Sequence, residues 1–141
     1  MTSGTVDCLF CRILAGQIPS RQIYWDDDAV AFLDISPWHR GHSLVVPRRH
    51  RADLLDGQGA LAEIAPAMDA VSRLLVERLH ADGLNVLSSA RAVAGQEVLH
   101  LHVHLIPRYR DRPGLAGLVN PGHAPDADLD AVWRELTGDA R

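Results

Sequence analysis

Three histidines stand at alternate positions in the run His100-Leu-His-Val-His104. Alternate side chains of a β-strand share one face, so the three imidazoles would point one way while Leu101, Val103 and Leu105 point into a core. At about 3.3 Å per residue the end histidines would lie roughly 13 Å apart, too far for one metal ion to bind all three without strain. Neutral imidazole is a good nucleophile toward phosphorus near pH 7. The run therefore predicts separate roles for the three rings, including attack in phosphoryl or nucleotidyl transfer; the alternative is a polar strand face of hydrogen-bonded histidines.

A Gly-Gln turn immediately precedes this run. Gly95 permits a backbone bend that lets amide groups approach a ligand. Gln96 has an amide that could donate a hydrogen bond to a phosphate oxygen or to a leaving group. Placed just before three alternating histidines, the turn favours phosphorus chemistry.

Cys8 and Cys11 are the only cysteines in the chain. A structural disulfide is disfavoured in a cytosolic protein, and a thioredoxin-like redox motif would follow a strand, which nothing before Cys8 predicts. Half of a zinc site fits the Cys-x-x-Cys spacing better, and it needs two further ligands. His50 and His100 are the natural candidates.

The elements that must position these residues follow from hydrophobic periodicity. Five strands in near succession, with helices between and after them, predict an α+β fold with a meandering antiparallel sheet. Pro66 should kink the long central helix or mark its effective start. The predicted helices are Cys8–Leu14, Ala60–His80 and Leu129–Leu136, and the predicted strands are Gln22–Trp25, Val30–Leu33, Ser43–Val46, Leu84–Leu87 and Val98–Ile106.

Composition limits the class of protein. The chain has 141 residues, of which 47% are hydrophobic and 23% charged, as expected for one folded domain. The apolar runs are too short to cross a membrane, and the first residues lack the pattern of a secretory signal, so we expect a cytoplasmic protein. All 14 basic residues are arginine, which excludes lysine Schiff-base and P-loop chemistry, and the net charge of −4 argues against a nucleic-acid polymer as partner.

Four blocks of the sequence resemble the histidine-triad (HIT) family. Their combination and order are highly specific, and the resemblance extends over roughly residues 8–108. The blocks are Asp34-Ile-Ser-Pro37, Gly41-His-Ser-Leu-Val-Val-Pro-Arg-Arg-His50, Gly83-Leu-Asn85 and Gly95-Gln-Glu-Val-Leu-His-Leu-His-Val-His-Leu-Ile-Pro107.

The resemblance implies a HIT-like α+β fold with a five-stranded antiparallel meander sheet, a short N-terminal helix, a long central helix and a C-terminal helix. It implies a homodimer that packs through the central helix. It divides the chain into a flexible N-terminus (1–7), a HIT domain (8–108) and a divergent C-terminal tail with a short helix packed on the same domain (109–141).

The same resemblance implies a site for a purine nucleotide. The middle histidine, His102, would attack the α-phosphorus, and water would hydrolyse the nucleotidyl intermediate to release a nucleoside monophosphate. His104 would stabilise charge around the phosphate, His42 matches a further histidine near the active site, and Asp34 would accept hydrogen bonds from the ribose. The remaining residues implied at the nucleotide site are Leu9, Phe10, Ile13, Ile18, Phe32, Ser89, Gly95 and Glu97. The implied zinc ligands are Cys8, Cys11, His50 and His100, a closed set typical of a structural ion.

Two departures from the family pattern affect the predicted substrate. Ser89-Ala-Arg91 stands where relatives often have an Asn-Asn-Gly-like stretch, and Arg91 would either contact phosphate or face solvent. Glu97 stands where some members have a phosphate-contacting serine, and its carboxylate would repel a phosphate unless it is turned away or protonated.

The predicted function is a hydrolase or transferase acting at the α-phosphate of nucleoside phosphoramidates or dinucleoside polyphosphates. One alternative is a nucleotide-binding module with weak catalysis and a role in protein interaction. Another is a metalloenzyme that uses the triad histidines as zinc ligands.

Overall fold

The computed structural model describes residues 8–119 and 128–138. Every predicted helix and strand is present, with bounds that differ from the prediction by a few residues. The predicted flexible N-terminus, residues 1–7, lies outside the described residues. The elements are α1 (Leu9–Leu14), β1 (Gln22–Trp25), β2 (Ala29–Leu33), β3 (Ser43–Pro47), α2 (Ala60–Leu79), β4 (Gly83–Leu87), β5 (Val103–Arg108) and α3 (Leu129–Thr137), with short 3₁₀ turns at Ala92–Ala94 and Leu115–Gly117.

The five strands form one antiparallel sheet in the order β1-β2-β3-β5-β4, which confirms the predicted α+β class. The predicted meander is correct for β1 to β3 and wrong beyond them, because β5 lies between β3 and β4. The 20 residues of α2 cover about 30 Å along one face of the sheet before β4 begins. The chain therefore resumes pairing at the far edge, and β5 returns to fill the gap beside β3.

Two hydrophobic cores lie on opposite faces of the sheet. The first packs α2 and α3 against the sheet and includes Leu101, Val103 and Leu105, as the alternation predicted. The second packs α1 against the other face through Phe10, Ile13 and neighbouring strand residues. The histidines of the run face this second side, where α1 lies.

The face of α2 that packs on the sheet carries alanines as well as larger aliphatic residues. The buried positions are spaced by three or four residues but include Ala60 and Ala67, whereas Leu61 is 41% exposed. Leu61, next to Ala60 in the sequence, lies off this buried stripe. The helix begins six residues before Pro66, so that proline does not mark its start.

The predicted last strand begins too early. Pairing of β3 with β5 ends at Val45 opposite Val103, so His100 and His102 precede the strand. Continued pairing would need an amide hydrogen from Pro47, which has none. The Leu101 amide instead donates to the Arg51 carbonyl at 2.7 Å.

The C-terminal helix α3 packs against the sheet and α2. Val132 and Leu136 are buried in the first core, and the Trp133 indole donates to the Gln22 carbonyl at 2.8 Å. Arg40 forms an ion pair with Glu135. No helix in the described ranges is long and apolar enough to cross a membrane.

Candidate functional site

A cavity of about 510 Å³ opens beside α1 on the face that carries the histidines. One part of its wall is apolar and the other is polar, as a nucleotide with a base and a phosphate would require. All but one of the residues predicted for nucleotide binding and catalysis line it: Leu9, Phe10, Ile13, Ile18, Phe32, Asp34, His42, Ser89, Gly95, Glu97, His102 and His104.

The imidazole of His102 is held in one tautomer. Its Nδ1 lies 2.8 Å from the carbonyl oxygen of His100, which can only accept a hydrogen bond, so Nδ1 carries the proton. Nε2 is then the nitrogen with a free lone pair. The ring is 9% exposed and makes edge contacts with Phe10 and His104, at centroid distances of 5.2 and 5.0 Å.

A chain of hydrogen bonds orients His104. The Trp38 amide donates to Nδ1 of His42 at 3.0 Å, so the proton of the neutral His42 ring is on Nε2. That nitrogen lies 2.9 Å from Nδ1 of His104 and donates to it. The neutral His104 ring therefore carries its own proton on Nε2 and can donate one hydrogen bond.

Burial keeps both rings of this chain neutral at pH 7. Desolvation lowers the pKa of His42 to about 4, and the Asp34 carboxylate opposes the shift without overcoming it. Desolvation likewise lowers the pKa of His104 to about 4, with further lowering from His42 and His102. His104 is therefore suited to donate a hydrogen bond to a phosphate oxygen.

Asp34 lies at the cavity with one oxygen engaged. Its Oδ1 accepts from the Ser36 amide at 2.8 Å, while Oδ2 is 3.6 Å from Nε2 of His42. The ligand atoms of Asp34, His42 and His104 are close enough to suggest a metal site. However, Nε2 of His42 carries a proton because its Nδ1 accepts from the Trp38 amide, and a protonated nitrogen does not bind a metal. This hydrogen-bond arrangement disfavours the alternative of a triad metalloenzyme.

Gln96 does not lie where the sequence predicts. It is buried, and its side-chain amide donates to the carbonyls of Ala52 and Val98 at 2.7 and 2.9 Å, while its Oε1 accepts from the Arg91 amide at 2.6 Å. Both amide hydrogens are thus used by backbone groups of two loops. The predicted contact with a leaving group is wrong for this arrangement, and Gln96 instead holds the loop that carries Ser89 and Gly95.

Arg91 in this loop has a backbone conformation that glycine favours. Its φ of 76° and ψ of 158° cost a non-glycine residue about 1–3 kcal/mol. The hydrogen bond to Gln96 holds the conformation, and the guanidinium lies 3.8 Å from the Asp53 carboxylate. Of the two predicted roles, the structure supports an exposed side chain over a phosphate contact.

Cys8, Cys11, His50 and His100 come together and are called the cysteine–histidine cluster below. The two Nδ1 atoms are 3.2 Å apart, and the sulfur-to-nitrogen distances include 3.3 Å for Cys8–His100 and 3.3 Å for Cys11–His50. A tetrahedral zinc ion would separate two nitrogens by about 3.3 Å and a sulfur from a nitrogen by about 3.6 Å. The four residues therefore fit a zinc ion.

The protonation of His100 also suits a ligand. Its Nε2 donates to the Pro47 carbonyl at 2.9 Å, which leaves the Nδ1 lone pair facing the cysteines. Burial lowers the pKa of His100 to about 4 and raises that of the Cys11 thiol to about 11. A divalent cation would displace the thiol protons on binding.

Among the cavity residues that the sequence did not predict, two make contacts that matter to the site. Trp38 stacks on His104, with ring planes 6° apart and centroids 5.9 Å apart, and its amide orients His42. The sequence signal that could have identified Trp38 is its position between the two blocks that contain Asp34 and His42. Arg21 also lines the cavity, but its guanidinium pairs with Asp130 on α3 at 2.8 Å, a contact no local pattern reveals.

The fold and the site define a small α+β domain that presents histidines to a cavity beside a cluster of two cysteines and two histidines. The HIT domain pattern matches residues 15–111. The chain belongs to the HIT family.

Relatives and solved structures agree with this assignment. A HIT-like protein of Methanocaldococcus jannaschii is 39% identical over 133 residues, covering 93% of this chain and 99% of that protein. The adenylylsulfatase HINT3 of Arabidopsis thaliana is 35% identical over 103 residues, which is 72% of this chain and 52% of HINT3.

Among solved structures, a zinc-bound histidine triad family protein from Mycobacterium smegmatis matches this fold with a TM-score of 0.82. The two chains are 34% identical, and the match covers 95% of this chain and 93% of that chain. A histidine triad nucleotide-binding protein from Candida albicans has a TM-score of 0.66 at 33% identity, over 73% of this chain and 76% of that chain.

Proposed function

We propose that the protein is a nucleotide hydrolase or transferase that cleaves at the α-phosphate of nucleoside phosphoramidates or dinucleoside polyphosphates. The reaction passes through a nucleotidyl group on His102 and releases a nucleoside monophosphate. The observation that carries this proposal is the hydrogen bond from Nδ1 of His102 to the His100 carbonyl, because it leaves Nε2 as the nucleophile.

The proposed reaction has two displacements at phosphorus. Nε2 of His102 forms a bond to the α-phosphorus while the bond to the leaving group breaks. The leaving group keeps the electron pair; an amine also takes a proton from solvent, whereas a phosphate departs as an anion. Water then attacks the phosphorus, the bond to His102 breaks and returns its electron pair to Nε2, and the proton lost by water goes to solvent.

His104 acts in this scheme as a hydrogen-bond donor. Its neutral ring has one proton, on Nε2, because Nδ1 accepts from His42. Giving that proton away would leave an imidazolate, so we assign it to a bond with a non-bridging phosphate oxygen. This bond strengthens as negative charge builds on the oxygen during attack.

The rest of the cavity suits a purine nucleoside. Phe10, Phe32 and aliphatic side chains that include Leu9, Ile13 and Ile18 form the apolar wall, where a base could stack or pack. The free oxygen of Asp34 is available to the ribose hydroxyls. Two relatives support a nucleotide ligand: the adenylylsulfatase HINT3 of Arabidopsis thaliana and the histidine triad nucleotide-binding protein of Candida albicans.

We also propose that the cysteine–histidine cluster binds one structural zinc ion. The donor distances and the lone pair of His100 support this, as does the zinc-bound relative from Mycobacterium smegmatis. Four protein ligands leave no open coordination position, so the ion would hold α1, the His50 loop and the His100 segment together. We also propose a cytoplasmic location, because two cysteines without a disulfide suit a reducing compartment.

A homodimer is proposed on two features of the surface. Strand β4 is an edge of the sheet, with Val86 55% exposed, and α2 exposes Leu61 and Val76 by 41% and 42%. An uncovered strand edge beside apolar side chains favours pairing with a second copy. Sedimentation equilibrium should give a mass near twice 15.4 kDa, and a monomer at micromolar concentration would contradict the proposal.

Hydrolysis of adenosine 5′-phosphoramidate tests the proposed reaction. Wild type should release AMP, and acid quenching should trap an adenylylated protein whose label maps to His102. His102→Asn should lower turnover by several orders of magnitude, as for other removed nucleophiles, yet still bind AMP. His80→Asn changes an exposed histidine at the end of α2 and is the matched control. A label on His104, or substantial turnover by His102→Asn, would show that the nucleophile is wrongly assigned; AMP binding with no turnover by wild type would favour the nucleotide-binding module.

A further inference from the structure

Helix α1 belongs to two sites at once. It begins after Cys8 and contains Cys11, so it supplies two donors to the cysteine–histidine cluster. Leu9, Phe10 and Ile13, on the same six-residue helix, line the cavity. A helix this short is not stable by itself, so its position depends on the contacts it makes with the rest of the domain.

Phe10, which stands between the two cysteines, connects the cluster to His102. Its ring meets His100 at a centroid distance of 5.9 Å and His102 at 5.2 Å, with interplanar angles of 73° and 86°. These are edge-on contacts of the kind that aromatic rings prefer. Phe10 therefore limits the rotation of the His102 imidazole on one side. The His104 ring also contacts this imidazole, at a centroid distance of 5.0 Å.

His100 provides the second connection. Its ring is held at both nitrogens, by the cluster at Nδ1 and by the Pro47 carbonyl at Nε2, and the residue is 0% exposed. The carbonyl of this same residue accepts the Nδ1 proton of His102 at 2.8 Å. Fixing the His100 side chain thus fixes the group that selects the tautomer of His102.

We infer that Phe10 and His100 are positioning residues for the His102 imidazole, and that filling the cysteine–histidine cluster holds Nε2 of His102 in its attacking orientation. This rests on the proposed function of His102 as the nucleophile. In the metal-free protein α1 keeps its apolar contacts but loses the link to His50 and His100. The His102 ring then samples both tautomers, and only one of them presents an Nε2 lone pair.

Imidazole ¹⁵N NMR of the full chain tests this directly, because the nitrogen shifts report which nitrogen carries the proton. Zinc-loaded wild type should show His102 protonated at Nδ1 alone. Phe10→Leu keeps the cysteines but removes the ring contact, and should show averaged shifts from both tautomers. Ile13→Val changes a cavity residue on the same helix and should leave the His102 shifts as in wild type.

Kinetics separate positioning from loss of the cavity wall. In single turnovers with adenosine 5′-phosphoramidate, Phe10→Leu and the chelator-treated protein should adenylylate His102 about tenfold more slowly at saturating substrate. Ile13→Val should change the substrate concentration needed for saturation, whereas the control Gln17→Ala, at an exposed residue outside the cavity, should match wild type in both that concentration and the rate.

The inference would be overturned if Phe10→Leu kept His102 as a single Nδ1–H tautomer while binding zinc and giving the wild-type circular dichroism spectrum. The test on Phe10→Leu remains decisive even if the metal-free protein fails to fold. Absence of any adenylyl-protein in wild type would instead contradict the proposed function, and the tautomer measurement would still decide the positioning role.

Discussion

Gln96→Ala distinguishes a residue that holds a loop from one that contacts substrate. The change removes three hydrogen bonds to backbone groups, at the Arg91 amide and at the carbonyls of Ala52 and Val98. The side chain is 5% exposed, so its partners do not all regain water when it is removed. At about 1 kcal/mol for each bond, the loss is about 3 kcal/mol of unfolding free energy.

Relaxation of Arg91 offsets part of this loss. Its strained backbone is held by the bond from its amide to Gln96, and release of that bond returns about 1–3 kcal/mol. The net destabilisation expected for Gln96→Ala is therefore about 0–2 kcal/mol. Urea unfolding measures it, with the exposed Gln58→Ala as the control, for which the expected change is below about 0.5 kcal/mol.

A double-mutant cycle tests the physical link between the two residues. Arg91→Gly alone should stabilise the protein by about 1 kcal/mol, because glycine adopts this φ without strain, while the ion pair lost with the buried Asp53 is long, at 3.8 Å, and involves an exposed guanidinium. The effects of Arg91→Gly and Gln96→Ala should not be additive, since both release the same strain.

Ligand binding completes the test. The loop held by Gln96 carries Ser89, Gly95 and Glu97 into the cavity, so Gln96→Ala should weaken AMP binding together with stability. A variant with wild-type stability and AMP affinity but greatly reduced turnover would refute this reasoning. It would restore the sequence-based prediction that Gln96 acts on the leaving group.

Three further predictions concern protonation, metal and charge. Burial lowers the folded-state pKa of His42 and His104 to about 4, so the unfolded chain binds more protons than the folded chain between about pH 6.5 and 4. The free energy of unfolding should therefore fall by about 2 kcal/mol per ring on acidification from pH 7 to 5. Urea midpoints that do not change over this range would contradict the prediction. Purified protein should contain about one zinc ion per subunit, and Cys8→Ser should lose it and melt at a lower temperature; by elemental analysis, full zinc content in Cys8→Ser would exclude the cysteine–histidine cluster as its site. Glu97→Gln should bind ADP about threefold to tenfold more tightly in calorimetry because a carboxylate at the cavity repels phosphate, whereas the exposed Glu77→Gln should match wild type; equal affinities would show that Glu97 points away from the ligand.

Local periodicity was enough to predict most of the fold. Apolar spacing predicted α2, and strict alternation placed Leu101, Val103 and Leu105 in the core opposite the histidines. Residue chemistry then predicted the four donors of the cysteine–histidine cluster, and the family resemblance predicted the residues of the cavity wall. The structure brings these residues together, and they could be named in advance because burial and donor chemistry are properties of the residues themselves and of their spacing.

Only the tertiary structure decided how the side chains are used. Nothing in a Gly-Gln pair shows that the Gln96 amide meets the Ala52 carbonyl, 44 residues away in sequence, and nothing in the histidine run shows that Pro47 ends the pairing before His102. The tautomers of His102 and His104 depend on a carbonyl and on the Trp38 amide, which the fold brings into contact with particular ring nitrogens. A sequence lists donors and acceptors, but a hydrogen bond needs a distance and a direction, and these exist only after the chain has folded.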